Sequence, residues 1–164
     1  MGATNDNLQS AFAGESQANR RYLFFAEKAE KEGHKQIARL FRATADAETA
    51  HARNHLNALK GISSTGDNLL AAVGGEHHEF SETYPGFIKQ AEAEGEEKAL
   101  DSFGLANKVD KIHHGLFQAA LGTLEKGQPA ELKPIVVCHY CGNTIEGEAP
   151  ENAPFAGHQR VCSG

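Results

Sequence analysis

Apolar residues recur at helical spacing along four long stretches of this chain, and Ala, Glu, Lys, Gln and Leu fill the positions between them. These residue types favour helix. The pattern predicts four helices, over approximately residues 4–32, 34–60, 67–94 and 96–126. Gly33 and Gly95 lie at two joints, where helices commonly end on glycine. Pro85 lies inside the third stretch and predicts a kink or local distortion there, because proline removes a backbone donor.

The second and fourth stretches repeat one pattern. Each carries an apolar stripe that includes a carboxylate and, three residues later, a histidine. The pairs are Glu48 with His51 and Asp110 with His113. Residues three apart lie on one helix face, so both side chains of a pair can bind the same ion. Because the apolar residues share that face, the pairs are predicted to point into the core.

Two further glutamates, Glu15 and Glu76, lie on the apolar faces of the first and third helices. Two carboxylate–histidine pairs and one glutamate from each of two other helices are the ligands of a dinuclear metal site in a four-helix bundle. Glu79 can reach the same region, since it follows Glu76 by three residues. Burying five carboxylates in a core without cations would cost a prohibitive amount of desolvation free energy. Mixed oxygen and imidazole donors suit iron, manganese or zinc.

A single pair of this kind is usually a solvated surface pair. Two copies in register, each preceded by a helix with a core glutamate, favour the metal site instead. Tyr22 and Tyr84 are candidate catalytic residues that hydrogen-bond to the ligands, with ordinary core packing as the alternative. His77 and His78 point to other faces, and we expect them around the site or at the surface.

Several motifs resemble those of the rubrerythrin family. They are Ala11–Ala18 (AFAGESQA), Gly75–Glu79 (GEHHE) and Tyr84-Pro85, together with the two carboxylate-x-x-His pairs. The resemblance covers nearly the whole chain, and the motifs occur in the family's order. It implies a mainly α fold: a ferritin-like four-helix bundle with a non-haem di-iron site that reduces hydrogen peroxide to water. It also implies a homodimer in the cytoplasm.

Matched motif by motif, the resemblance implies that seven residues ligate the two irons. They are Glu15, Glu48, His51, Glu76, Glu79, Asp110 and His113. It further implies that Glu79 changes position between redox states. Asp110 departs from the family, which has glutamate there. Because aspartate is one methylene shorter, either the metal shifts or Asp110 binds through one oxygen.

The predicted helical pattern ends before Gly127, and a different sequence pattern follows. We predict a bundle over residues 1–127, a linker over 128–133 and a small module over 134–164. Cys138 to Gly142 resembles the first cysteine knuckle of the rubredoxin-like module that normally passes electrons to the di-iron site. Ala153 and Ala156 replace the two cysteines of the second knuckle. The usual FeCys4 site therefore cannot form.

His158 and Cys162 follow the altered knuckle. With Cys138 and Cys141 they make three cysteines and one histidine, a set that zinc binds readily. A zinc-ribbon-like module held by one zinc is our prediction for this tail, and an iron-loaded site or a metal-free tail are the alternatives. A tail with zinc or no metal cannot relay electrons. The di-iron site would then need an external donor, such as a separate rubredoxin.

Charge and hydropathy argue against some classes of partner. A formal net charge of −6 argues against nucleic acid as the main partner. Neither a membrane-spanning run nor the apolar stretch of a signal peptide is present, which supports the cytoplasmic expectation. An iron-oxidising or iron-handling ferritin-like protein is the first alternative function, because it shares every ligand. A non-catalytic helical scaffold with a zinc-binding tail is the second.

Overall fold

The computed structural model describes residues 2–148, and these fall into two compact units that divide between Ser63 and Ser64. The elements are α1 (Ala3–Lys31), α2 (Lys35–Ala58), α3 (Thr65–His78), a π-helical segment (Glu79–Thr83), α4 (Tyr84–Glu94), α5 (Glu97–Glu125), β1 (Ile135–Val137) and β2 (Thr144–Glu146). The helices lie within a few residues of their predicted bounds. No helix in the described residues is long and apolar enough to cross a membrane.

The first unit is a helical hairpin of α1 and α2. Small side chains pack near the connection: Ala26, Ala29 and Ala38 form a buried cluster against Phe41. Further from the connection, the Asn19 side-chain amide donates to the Ala45 carbonyl at 2.7 Å. Small residues let the two helix backbones approach closely, and this fixes which turns of α1 and α2 face each other.

The second unit is organised around α5, which contacts α3, the π-helical segment, α4 and β2. Val109, near the middle of α5, is buried. Helix α4 ends on Gly95, whose positive φ of 71° makes a left-handed cap, as the sequence predicted. The Ser64 side chain begins α3 by accepting a hydrogen bond from the Asp67 backbone N–H at 3.2 Å.

The distortion predicted near Pro85 takes the form of the π-helical segment, which separates α3 from α4. The Tyr84 backbone N–H donates to the Glu79 carbonyl, five residues earlier. Pro85 has no N–H to donate to the carbonyl of Ser81, so the regular α pattern cannot continue through this turn. The Ser81 hydroxyl donates to the His77 carbonyl at 2.6 Å. The irregular turn begins at Glu79, upstream of the proline that causes it.

Strands β1 and β2 form a short antiparallel hairpin, with Val137 opposite Thr144 and Ile135 opposite Glu146. The Cys-x-x-Cys turn connects them, and Gly142 takes a φ of 80° there. Val136, Cys138 and Cys141 make a small buried cluster, against which Leu105 of α5 packs. The hairpin is therefore packed on the helix that carries Asp110 and His113.

Replacing Ser64 with alanine is expected to lower the free energy of unfolding by about 1 kcal/mol, because it removes the side-chain cap of α3. Chemical denaturation monitored by circular dichroism measures this loss. Ser64→Thr is the matched control, since it keeps the capping hydroxyl and should retain most of the stability. Equal stability of Ser64→Ala and the wild type would contradict the capping role.

Candidate metal centre

Three side chains of the first unit bring one ligand atom each to within 4.8 Å of one another: Glu15, Glu48 and His51. His51 Nδ1 lies 2.8 Å from a Glu48 oxygen and 3.9 Å from a Glu15 oxygen. We call these residues the first triad. The Asn19 side-chain amide donates both to the Ala45 carbonyl and to the Thr49 hydroxyl. It thereby fixes α1 against α2 one turn away from the carboxylates.

The second unit holds an equivalent group, the second triad: Glu76, Asp110 and His113, again within 4.8 Å of one another. His113 Nδ1 lies 3.6 Å from Glu76 Oε2 and 3.8 Å from Asp110 Oδ1. These separations are too long for hydrogen bonds. Two ligand atoms on one metal, each about 2.1 Å from it, are about 3.0–3.4 Å apart. The second triad is thus spaced nearly as the ligands of one ion.

The electrostatics of the second triad favour a bound cation. Glu76 Oε2 is buried and has no hydrogen-bond partner among the described residues. Burial, with the charges of Asp110 and Glu79, raises the pKa of Glu76, although His113 opposes the shift. Burial and the Glu79 charge likewise raise the pKa of Asp110. Carboxylates that are held together and partly desolvated without a cation are costly. The residues therefore fit a divalent metal.

Two further predicted site residues, Glu79 and Tyr84, lie near the second triad. Glu79 is not one of its three members, but its charge contributes to the raised pKa of Asp110. Burial raises the pKa of the Tyr84 hydroxyl, and the charges of Asp110, Glu79 and Glu76 raise it further. Tyr84 therefore stays protonated beside the carboxylates.

The remaining predicted residues of the helices have simpler surroundings. Tyr22 contacts Phe25 and Phe41 with ring centroids 6.3 and 6.1 Å apart. This is the packing alternative to a catalytic role, and the catalytic role of Tyr22 stays a prediction. His78 is exposed and lies 3.4 Å from Glu82, while His77 packs against Phe80.

Thr144 is a neighbour of the centre that sequence reasoning missed. His113 Nε2 lies 3.0 Å from the Thr144 hydroxyl, which itself donates to the Gly142 carbonyl at 3.1 Å. The His113–Thr144 contact joins residues on different elements of the second unit, α5 and β2. No helical or strand periodicity signals it, because it depends on how the hairpin packs on α5.

Two backbone hydrogen bonds hold the turn of the cysteine knuckle. Cys138 N–H donates to the Asn143 carbonyl, and Gly142 N–H donates to the Cys138 carbonyl. Burial raises the pKa of the Cys141 thiol, while backbone N–H groups that include that of Asn143 lower it by hydrogen-bonding to the sulfur. The other two predicted tail ligands, His158 and Cys162, lie outside the described residues, as do Ala153 and Ala156. The tail metal stays a prediction.

The family model for rubrerythrin matches residues 6–121 of this chain. The chain belongs to the rubrerythrin family. Rubrerythrin-2 of Clostridium acetobutylicum is 36% identical to it over 94% of this chain and 91% of that protein. Rubrerythrin of Porphyromonas gingivalis is 37% identical over 96% of this chain and 87% of that protein. The resemblance inferred from the motifs is therefore confirmed.

The chain is also similar to solved structures of nigerythrin. The mixed-valent form is 32% identical and covers 94% of this chain and 82% of that chain, with a TM-score of 0.53. The fully reduced form, described as all ferrous, gives a TM-score of 0.54. The predicted fold class is confirmed: the chain is mainly α and ferritin-like, with a small C-terminal module. Rubrerythrins are di-iron oxidoreductases of oxidative-stress defence, and this chain carries the corresponding carboxylate and histidine groups.

Glu76→Gln is expected to stabilise the metal-free protein and to weaken its metal binding. A raised pKa means that the Glu76 contribution to stability is complete below the ordinary glutamate pKa of about 4.3 and is lost as the pH rises through the higher folded-state value. The melting temperature of Glu76→Gln should therefore exceed that of the wild type at pH 7, and the difference should shrink towards pH 4.

Melting curves of metal-free protein between pH 4 and pH 8 measure this difference. Glu82→Gln is the matched control, because Glu82 is an exposed glutamate close in sequence. It should follow the wild type at every pH. An excess of Mn²⁺ should reverse the order and leave the wild type more stable than Glu76→Gln. A Glu76→Gln melting temperature below that of the wild type in metal-free protein at pH 7 would contradict the interpretation.

Proposed function

We propose that this protein is a non-haem di-iron peroxidase that reduces hydrogen peroxide to water with electrons from an external donor such as rubredoxin. The observation that carries the proposal is Glu76 Oε2 of the second triad, which is buried and makes no hydrogen bond within residues 2–148. That oxygen is spaced with Asp110 and His113 for a metal ion, and the first triad repeats the same donor set. Family membership supports iron as the metal and peroxide as the substrate.

In this proposal the two triads and Glu79 supply the ligands of one di-iron centre. The paired irons would supply the two electrons that reduce peroxide. Asp110 would ligate through one oxygen, because its side chain is one methylene shorter than the glutamate of the family. Carboxylates and neutral imidazole together suit iron in this role.

The protein's own residues would manage the protons of the reaction. Peroxide reduction to two waters consumes two protons as well as two electrons. Tyr84 keeps its hydroxyl proton beside three carboxylates, so it can donate a hydrogen bond to an oxygen bound among them. Glu79 is the first residue of the π-helical segment, and its backbone carbonyl accepts a hydrogen bond from the Tyr84 N–H. We propose that the Glu79 carboxylate is the ligand that moves between redox states, because π-helical turns often accompany functional sites.

The tail and the assembly complete the proposal. We propose that zinc binds Cys138, Cys141, His158 and Cys162, so that the tail stabilises the module and does not relay electrons. The chain would act as a cytoplasmic homodimer, with a catalytic domain over residues 1–127 and the metal-binding module over 134–164. Hydrogen peroxide is the substrate, and neither a nucleic acid nor a membrane is a partner.

Metal content and turnover test the proposal together. Anaerobically purified protein should hold about two irons and one zinc per chain, and should consume peroxide when reduced rubredoxin is supplied. Glu48→Ala and His51→Ala should each lose iron and most of the turnover, while Glu30→Ala, an exposed glutamate on α1, should keep both. Full metal content and turnover in Glu48→Ala would contradict the ligand assignment.

The same measurements separate the alternatives. Faster oxidation of the loaded iron by dioxygen than by peroxide would favour iron handling over peroxide reduction. Zinc alone, with no iron after reconstitution, would favour the non-catalytic scaffold. Three irons and no zinc would favour the tail as a modified electron relay, and the reductant could then pass its electrons through the tail without a separate rubredoxin.

Glu79→Gln tests the role of the Glu79 carboxylate, which the proposal has move between redox states. Removing its charge should lower peroxide turnover by about 100-fold, similar to the loss of one positioned catalytic group, while the triads still hold iron. Steady-state rates and iron content in the same preparation measure both effects. Glu82→Gln, in the same π-helical segment, should keep wild-type values for both. Unchanged turnover in Glu79→Gln would exclude Glu79 from the reaction.

A further inference from the structure

The contact between α5 and the C-terminal hairpin gives His113 Nε2 a hydrogen-bond partner, the Thr144 hydroxyl. A threonine hydroxyl has one proton to donate and can accept at its lone pairs. The Thr144 hydroxyl donates its proton to the Gly142 carbonyl at 3.1 Å. His113 Nε2 lies 3.0 Å from the same hydroxyl. A hydroxyl that donates to the Gly142 carbonyl accepts from the imidazole, and in that arrangement the imidazole proton is on Nε2 and Nδ1 keeps its lone pair.

That lone pair is on the nitrogen that faces the carboxylates. Nδ1 of His113 lies 3.6 Å from Glu76 Oε2 and 3.8 Å from Asp110 Oδ1. A neutral imidazole binds a metal only through the nitrogen without the proton, and a hydrogen bond at the other nitrogen fixes which one that is. The hydrogen bond to Thr144 therefore leaves His113 ready to ligate before any metal arrives.

The first triad lacks this arrangement. His51 Nδ1 lies 2.8 Å from a Glu48 oxygen. An ionised carboxylate can only accept, so a hydrogen bond in this contact uses a proton on Nδ1, the nitrogen that faces the carboxylates. The His51 side chain is 55% exposed, compared with 26% for His113. The geometry of the first triad thus offers no partner at Nε2 comparable to Thr144 among the described residues.

We infer that Thr144 is a positioning residue of the metal centre: its hydroxyl holds His113 in the tautomer and orientation that the second triad needs to bind metal. The inference rests on the proposed di-iron centre and deepens it. It assigns to the C-terminal hairpin a role that is independent of electron transfer. Because Gly142 directly follows Cys141, the same backbone turn forms the cysteine knuckle and accepts the Thr144 proton.

The first test is the tautomer of His113 in metal-free protein. Long-range ¹H–¹⁵N NMR distinguishes a protonated from an unprotonated ring nitrogen, and a His113→Gln variant assigns the signal. At neutral pH, His113 is expected to carry its proton on Nε2 and His51 on Nδ1. A wild-type His113 with its proton on Nδ1 would overturn the inference without any variant having to fold.

The second test is Mn²⁺ binding to metal-free full-length protein, with free Mn²⁺ followed by electron paramagnetic resonance. Thr144→Val keeps the β-branched shape that suits a strand and removes the hydroxyl. It should weaken one of the two Mn²⁺ sites by about 10–100-fold, as the loss of a hydrogen-bond partner behind a metal ligand usually does. The other site should keep its affinity.

Two control variants isolate the hydroxyl. Thr144→Ser keeps it and should bind Mn²⁺ like the wild type. Thr123→Val removes a threonine hydroxyl that donates to the Ala119 carbonyl on the same helix as His113, and it should also leave both affinities unchanged. Wild-type affinity in Thr144→Val, or an equal loss in Thr144→Ser, would overturn the positioning role.

The two tests separate the inference from the proposed function. A wild-type protein that binds no Mn²⁺ at either triad would overturn the metal centre, and the inference with it. Two intact Mn²⁺ sites together with the other His113 tautomer would overturn the inference alone. Neither readout depends on peroxide turnover.

Discussion

The energetic constraint on this protein is the placement of acidic side chains on helix faces that are otherwise apolar. Glu76 and Asp110 are largely withdrawn from solvent in the second unit, and burial is the largest influence on the pKa of each. An unpaired charge away from water costs several kcal/mol. Replacing these residues with apolar ones would relieve the cost and remove the ligands. A cation would relieve it and keep them, which would couple metal binding to folding of the second unit.

The two carboxylate–histidine pairs are equivalent in sequence but not in surroundings. Each presents a carboxylate and an imidazole on one helix face. His113 Nε2 contacts the Thr144 hydroxyl, whereas His51 Nδ1 contacts its own carboxylate partner, Glu48. The internal repeat therefore keeps the ligand types, while the neighbouring elements give the two imidazoles different hydrogen-bond partners. Two chemically distinct metal positions can arise from one repeated motif in this way.

Helical periodicity was sufficient to predict most of the fold and the members of both triads. Spacing fixes which residues share a face, so Glu48 with His51 and Asp110 with His113 could be paired from the sequence alone. It could not predict that the π-helical segment begins at Glu79, because that depends on how the chain accommodates the missing Pro85 donor. Nor could it predict the Thr144 contact, which depends on packing between α5 and a hairpin far along the chain.

The sequence pattern also could not distinguish the surroundings of Tyr22 from those of Tyr84. Both tyrosines lie on helix faces near predicted ligands. In the structure, each tyrosine packs with two phenylalanine rings, and Tyr84 in addition lies close to the charges of Asp110, Glu79 and Glu76. Their difference is set by neighbours on other turns and helices, which a single-helix pattern does not contain.

A structural role for the contact between the C-terminal hairpin and α5 would explain why the module can lose two cysteines, since that role does not require electron transfer. A hairpin of three-residue strands is too small to be stable alone. It is held by the buried cluster around Cys138 and Cys141, which packs on Leu105, and by the hydrogen bond from His113 to Thr144. Loss of the second cysteine pair would remove a redox centre and leave that contact in place. A metal bound at the remaining knuckle would then order the turn that holds His113, so the tail would support the di-iron ligands through structure alone.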